Sequence, residues 1–238
     1  MIEYLLAIET SGDVCSIALL ENGKLRVETT FRHGMHLSER LISIITSLLT
    51  EAGISLAQVD AFAVGIGPGS FTGIRIGVMT AKTLADTLGK PLYGIVDMEA
   101  IAQTYHGISD TNVVVILPCR ADTLLFSLYD VTHVSMNTIS PMVLSVDEIV
   151  AQLSEITVNH ILLCGPAVTK SGEKLRELLE QSGKRVSIGS ADIPRASTVG
   201  QLAYQRALME VPADDPLTLV PLYIAPPPIS VSKTPIPQ

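Results

Sequence analysis

The chain has no tryptophan, 4% aromatic residues and 17% charged residues among its 238. Few rings means few of the stacking platforms on which proteins hold single-stranded nucleic acid. Basic residues are scarce too. Lys and Arg total 16 against 24 acidic residues, the net charge is −8, and no basic run occurs. A chain that held RNA by itself would carry a basic face, so any nucleic acid nearby takes its positive field from a partner. The three cysteines, Cys15, Cys119 and Cys164, are scattered and form no C-x-x-C pair. That excludes a disulfide framework or a zinc ribbon and points to a reducing compartment. No apolar stretch reaches the ~18 residues of a membrane helix, and Met1 to Ser11 lacks the basic start of a secretion signal. The expectation is a cytoplasmic chain with no membrane association.

What is present is aliphatic. Hydrophobic residues make up 47% of the chain, enough for a sizeable core. Short apolar runs at Tyr4–Ile8, Cys15–Leu20 and Leu25–Phe31 read as an antiparallel meander, with Asn22-Gly23 as a hairpin turn. Helices are predicted over His36–Ala52 and Gly73–Leu88, around an apolar strand at Ala61–Ile66; Gly89-Lys90-Pro91 stops the second helix, and a strand at Leu92–Val96 completes a parallel β-α-β unit. A partial restart follows: strands at Val113–Leu117, Thr123–Tyr129, His160–Cys164 and Val186–Ile188, and helices near Asp147–Leu153, Gly172–Gln181 and Thr198–Met209. This predicts an α/β chain with lobes at 1–108 and 109–224. A tail over 225–238 holds five prolines, suits neither helix nor sheet interior, and is expected to be disordered.

The first helix has an apolar stripe at Leu37, Leu41, Ile44 and Leu48, yet carries no charge between Arg40 and Glu51. A helix with one buried face normally shows charge on the other, so this one is expected to be covered on more than one side. The loop Gly67-Pro68-Gly69-Ser70-Phe71-Thr72-Gly73 leads into the second helix, with Ile74, Arg75 and Val78 following. Its glycines and free N–H groups suit either a tight strand-to-helix turn or an anion cradle. It is neither a Walker A motif nor G-x-G-x-x-G. Arg75 sits at the end of the helix that disfavours a cation, which suggests a carboxylate or phosphate brought to it. Glu9, Asp13 and Asp60 are candidates for a carboxylate set. The five histidines, His33, His36, His106, His133 and His160, include no pair four apart, and His33 with His36 lacks a third ligand, so no metal site is expected.

The run Gly67 to Gly77, G-P-G-S-F-T-G-I-R-I-G, resembles the signature of the TsaB (YeaZ) family. Leu6-Ala7-Ile8-Glu9-Thr10-Ser11 is similar to the family's opening strand and loop, with Glu9 in place of the usual Asp. His36-Leu37-Ser38-Glu39 resembles its His-Ser-Glu helix start with Leu37 inserted, and Pro221-Leu222-Tyr223-Ile224 its Pro-x-Tyr-Leu element. Departures lie in the second lobe. Leu117-Pro118-Cys119-Arg120 keeps only the arginine of an Asp-Ala-Arg turn, and Ala225 stands where a basic residue often follows.

The resemblance implies two ribonuclease-H-like lobes of the actin, hexokinase and heat-shock-protein superfamily. It implies a non-catalytic partner of TsaD, which threonylcarbamoylates the adenosine beside the anticodon in tRNAs reading codons that start with A. TsaE would be a second partner, a homodimer the form of the isolated chain, and tRNA would be met only through the complex. No intrinsic cofactor is implied, and ATP or ADP would enter at the partner interface. That interface is expected to be a four-helix contact using His36, Leu37, Leu41, Ile44, Leu48, Ile74, Arg75 and Val78. Leu41→Asp would then block association without unfolding the chain. In this superfamily the first hairpin loop faces nucleotide phosphate, which makes Glu9, Thr10, Ser11, Gly67, Gly69 and Ser70 the candidate nucleotide loop. The alternative reading is a small ATP-dependent phosphotransferase of the same superfamily.

Overall fold

A computed structural model describes residues 2–224 except 33–35, 121, 133–135, 158–159 and 191. The Pro-rich tail and His33 therefore lie outside the described residues.

The opening meander forms as its pattern demands. β1 (Tyr4–Glu9), β2 (Val14–Glu21) and β3 (Lys24–Arg32) pair antiparallel. The turn between β2 and β3 places Asn22 at φ 49° and Gly23 at φ 75°, the left-handed pair that matches the twist of two hairpin strands. α1 (Leu37–Glu51) leads to β4 (Ala61–Gly65), which pairs parallel with β1. α2 (Phe71–Leu88) starts on a Ser70 cap and ends at Gly89, φ 62°. β5 (Leu92–Ile95) closes the sheet, whose order is β3-β2-β1-β4-β5.

The second half repeats that topology with different residues. α3 (Asp97–Gln103) is followed by β6 (Asn112–Pro118), β7 (Thr123–Asp130) and β8 (Met136–Ser145). Then come α4 (Val146–Glu155), β9 (His160–Cys164), α5 (Val168–Gln181), β10 (Arg185–Ile188) and α6 (Ala196–Leu208). Among the described residues the second sheet has the order β10-β9-β6-β7-β8, the first sheet's arrangement element for element. β8 and α3 were not legible in the sequence. β8 is broken by irregular pairing with β7, and α3 is buried on nearly every side, so neither shows a clean period.

Alternation along the strands gives each sheet two apolar faces. On the first sheet, Leu6, Ile8, Phe62 and Val64 meet α1 and α2. Leu5, Ala7, Ala18 and Ala61 on its other face meet α6. On the second sheet α4 and α5 cover one face, while α3 covers the other through Met98, Ile101 and Ala102. The halves thus exchange their third helices: α3 lies on the second sheet and α6 on the first. This corrects the lobe boundaries expected from the sequence. The segment from Ala196 onward belongs by packing to the first lobe, because small residues on that sheet face and Gly200 on the helix let the two surfaces approach closely.

The returning helix is capped by the first lobe. Glu28 on β3 accepts from the Ser197 backbone N–H at 3.0 Å and from the Ser197 hydroxyl at 3.0 Å. The Ser16 hydroxyl accepts from the Ala196 N–H at 2.5 Å. Orphan N–H groups at a helix start cost about 0.5–2 kcal/mol when a side-chain cap is lost. Glu28→Ala is therefore expected to lower the unfolding free energy by about 1–2 kcal/mol, read from a shift of the urea midpoint at unchanged slope.

Candidate functional site

The C-terminal ends of β1, β4 and β5 converge on one place, the usual position of ligand sites in such sheets. β1 ends at Glu9, β4 ends at Gly65, and Asp97 follows β5. Glu9, Thr10 and Asp97 have no exposed surface, and Ser11 is 5% exposed. The two loops singled out in the sequence are in direct contact here. The Ser70 N–H donates to the Ser11 carbonyl at 2.6 Å, and the Thr10 hydroxyl donates to the Gly73 carbonyl at 2.8 Å. A side chain at Gly69, Gly73 or Gly77 would strike Ser11 or Thr10. The glycines of the signature are spaced to admit the β1–β2 loop onto the start of α2.

The fold family implies a magnesium nucleotide, and the residues do not fit one in this position. A phosphate would need the free N–H groups at the start of α2, and the chain uses part of that set itself. Beyond the Ser70 donation, the Gly73 N–H donates to the Ser70 hydroxyl at 3.3 Å and the Ile74 N–H to the Ser70 carbonyl at 2.9 Å. The Ser11 N–H donates to Glu9 Oε1 at 2.6 Å.

The acidic groups are turned inward as well. Asp13 is exposed, and Asp60 lies at the far end of β1, accepting from the Glu3 and Tyr4 N–H groups at 2.9 and 3.0 Å. The expected set of Glu9, Asp13 and Asp60 does not assemble. Glu9 faces Asp97 instead, a residue the sequence pattern did not single out. Among the described residues no group of three metal-ligating side chains occurs.

Glu9 Oε2 and both Asp97 oxygens are buried without a protein donor, and Glu9 Oε2 and Asp97 Oδ1 lie against Gly65, where a side chain would fill their space. Burial raises the pKa of both carboxyls. For Glu9, donation from Ser11 pulls part of the way back; for Asp97 the neighbouring Glu9 charge pushes further. Like charges this close in a buried site do not readily both ionise, so the pair holds on to a proton above the ordinary carboxylate range.

A cleft of about 470 Å³ lies just outside, between the lobes, lined by Ser11, Asp13, Arg32, Pro68, Ser70 and Pro118 among others. A second cavity of about 520 Å³ adjoins it between the β6–β7 turn and the starts of α4 and α5.

The predicted helix stripe faces the other way from the expectation. Leu37, Leu41, Leu48, Ile74 and Val78 are 2%, 0%, 2%, 0% and 1% exposed, sealed in the chain's own core, with Ile44 packed at its edge. They offer nothing to a second chain. The uncharged outer face of α1 has a local explanation. The hydroxyls of Ser43, Thr46, Ser47 and Thr50 each donate to a carbonyl one turn back, which makes a polar face without charge. His36 is exposed beside Glu39, and Arg75 is exposed on α2. What these helices present outward is Ile42, 51% exposed, and Met79, 59% exposed.

The family model of tRNA N6-adenosine threonylcarbamoyltransferase, TsaD, matches residues 33–187, more than half of the chain. The tRNA threonylcarbamoyladenosine biosynthesis protein TsaB of Haemophilus influenzae is 37% identical over 124 residues, 52% of this chain and 52% of that protein. Its Escherichia coli namesake is 32% identical over 126 residues. The chain belongs to this family. The match spans about half the length of these curated relatives. YeaZ from Pseudomonas aeruginosa superposes with a TM-score of 0.73 at 25% identity, covering 93% of this chain and 100% of that one. The ROK hexokinase of Thermus thermophilus gives a TM-score of 0.51 at 10% identity over 87% of this chain, a likeness of fold alone. The chain therefore has the two-lobed fold that the YeaZ structure and, as a likeness of fold alone, this hexokinase share.

Two outcomes follow from the site. The unfolded carboxyls titrate near 3.8 and 4.5, whereas the folded pair keeps its proton higher. The folded state thus binds more protons, and stability falls as pH rises above about 4 through the pair's own titration. Asp97→Asn is expected to remove that downward slope, with the variant's melting temperature gaining on the parent at alkaline pH and not near pH 4. Leu41→Asp, expected from the sequence to leave the fold intact, instead buries an unpaired charge and should cost at least about 3 kcal/mol, measured by urea unfolding.

Proposed function

We propose that this chain is a non-catalytic binding subunit that supports a TsaD-type enzyme in threonylcarbamoylating the adenosine beside the anticodon in tRNAs reading codons that start with A. One observation carries the reading: the β1–β2 loop is bonded onto the start of α2 by the chain's own backbone, and Glu9 and Asp97, the acids nearest to it, are buried away from the cleft. A protein of this family with that interior has its outer surface left for work. Relatives named as biosynthesis proteins for threonylcarbamoyladenosine support the pathway. The net charge of −8 supports tRNA contact through a partner rather than by this chain. In this reading TsaD and the ATPase TsaE are its partners, it pairs with itself when alone, it works in the cytoplasm, and any ATP or ADP belongs to the assembled complex.

A second reading, a small ATP-dependent phosphotransferase, draws on the interlobe cleft of about 470 Å³. Calorimetry separates the two. The binding subunit is expected to give no micromolar Mg-ATP signal alone, to copurify with TsaD, and to restore tRNA modification to a mixture lacking only this chain. Modification at full rate without it, or ATP turnover by it alone, overturns the reading.

A further inference from the structure

The cleft between the lobes has a chemistry that neither the glycine loop nor the buried acids use. Its volume of about 470 Å³ lies within the range of pockets that bury small ligands. Its walls are aliphatic: Val14 and Pro68 from the first lobe, Leu117 and Leu125 from the second, and Ile193 and Pro194 from the connector that leads into α6. That connector is pinned on both sides. Before it, the Tyr105 hydroxyl donates to the Asp192 carboxylate and accepts from the Ser190 N–H at 3.1 Å. After it, the Ala196 N–H donates to the Ser16 hydroxyl on β2. The Ser70-to-Ser11 contact fixes the first-lobe side in the same way. The walls are thus held by the chain's own bonds.

Two charges stand at this cleft. Asp13 and Arg32 both line it, and both are exposed. Arg32 pairs across the hairpin with Val14, the neighbour of Asp13, so the two charged residues occupy adjoining positions on adjoining strands. Neither makes an ion pair or hydrogen bond among the described residues. They are opposite in sign, adjacent and unpaired, beside aliphatic walls. A planar guanidinium takes one carboxylate through two parallel bonds. An aspartate next to it takes an ammonium. A nucleotide suits this lining less well. Arg32 is the one basic side chain among the lining residues, Asp13 would repel phosphate, and no aromatic ring there gives a base a stacking face.

We propose that the interlobe cleft binds a free α-amino acid with an aliphatic side chain: Arg32 takes the carboxylate, Asp13 the ammonium, and the walls the side chain. An α-amino acid carries its two charges on one carbon, side by side as the cleft carries theirs. A ligand held there touches both lobes at once. The site does not rest on the partnership proposed above and stands whether or not TsaD binds.

The test is calorimetry on the full chain with L-leucine, with melting temperature alongside. L-leucine is expected to give saturable heat and to raise the melting temperature, as any ligand of the folded state does. Three fragments probe the three contacts on the unaltered chain. Isoamylamine lacks the carboxylate, isocaproate lacks the ammonium, and glycine lacks the side chain; each is expected to bind at least tenfold more weakly than L-leucine. Arg32→Leu should bind L-leucine no better than isoamylamine, and Asp13→Asn no better than isocaproate. Both side chains are exposed, so the melting temperature without ligand should not change. Absence of saturable heat from L-leucine in the millimolar range overturns the proposal. So does glycine binding as tightly as L-leucine, or both variants binding L-leucine within twofold of the parent. Micromolar Mg-ATP binding that displaces L-leucine would also overturn it and return the cleft to the phosphotransferase reading.

Discussion

The structure depends on one backbone-to-backbone contact, the seating of the Thr10–Ser11 loop on the start of α2. It is made by main-chain groups and a hydroxyl in a buried site, where each unpaired donor or acceptor would cost about 1–3 kcal/mol. Glycine at positions 69, 73 and 77 is what allows two backbones to come so close. Because this contact ties β1 to α2, it also sets where Glu9 ends, and so where the Glu9–Asp97 pair forms. The same contact fills the space a phosphate would use.

Asp97 has a second consequence. It begins α3, the helix that crosses from the first sheet to the second, and its N–H donates to the Gly67 carbonyl at 2.9 Å. The buried acid pair thus stands at the junction of the lobes, linked to the glycine loop on one side and to the crossing helix on the other. α6 crosses in the opposite direction. Two exchanged helices and Ile224, in the segment that follows α6, join the lobes, so the cleft between them has walls built from both halves of the chain. The interior is given over to holding the lobes together.

Much of the fold was legible beforehand. The apolar runs of β1 and β2, the Asn22-Gly23 turn and the Gly89 stop of α2 are local signals with local causes, and each appears where the pattern put it, whereas α2 starts at Phe71 on its Ser70 cap, two residues before the expected Gly73. The glycine signature was legible as a special segment, and its two readings differed only in what fills the space beside it. The stripe on α1 was legible as apolar, but apolarity does not say whether a residue's cover comes from the same chain or another. The hydroxyl face of α1 looked unfinished because the pattern counts charges and not hydroxyl groups bonded to their own helix.

By itself, then, the sequence determined the lengths and types of most elements, the repeated lobe plan and the family, since these rest on periodicity, turn chemistry and short motifs that neighbouring residues carry. Only the tertiary structure decided that Glu9 meets Asp97, that α6 belongs to the first sheet, and that Tyr223 lies on Arg75, 148 positions apart. Those pairings depend on how far a chain travels before it turns back and on which residues are small enough to let two surfaces touch. Neither quantity is written in any local stretch of residues.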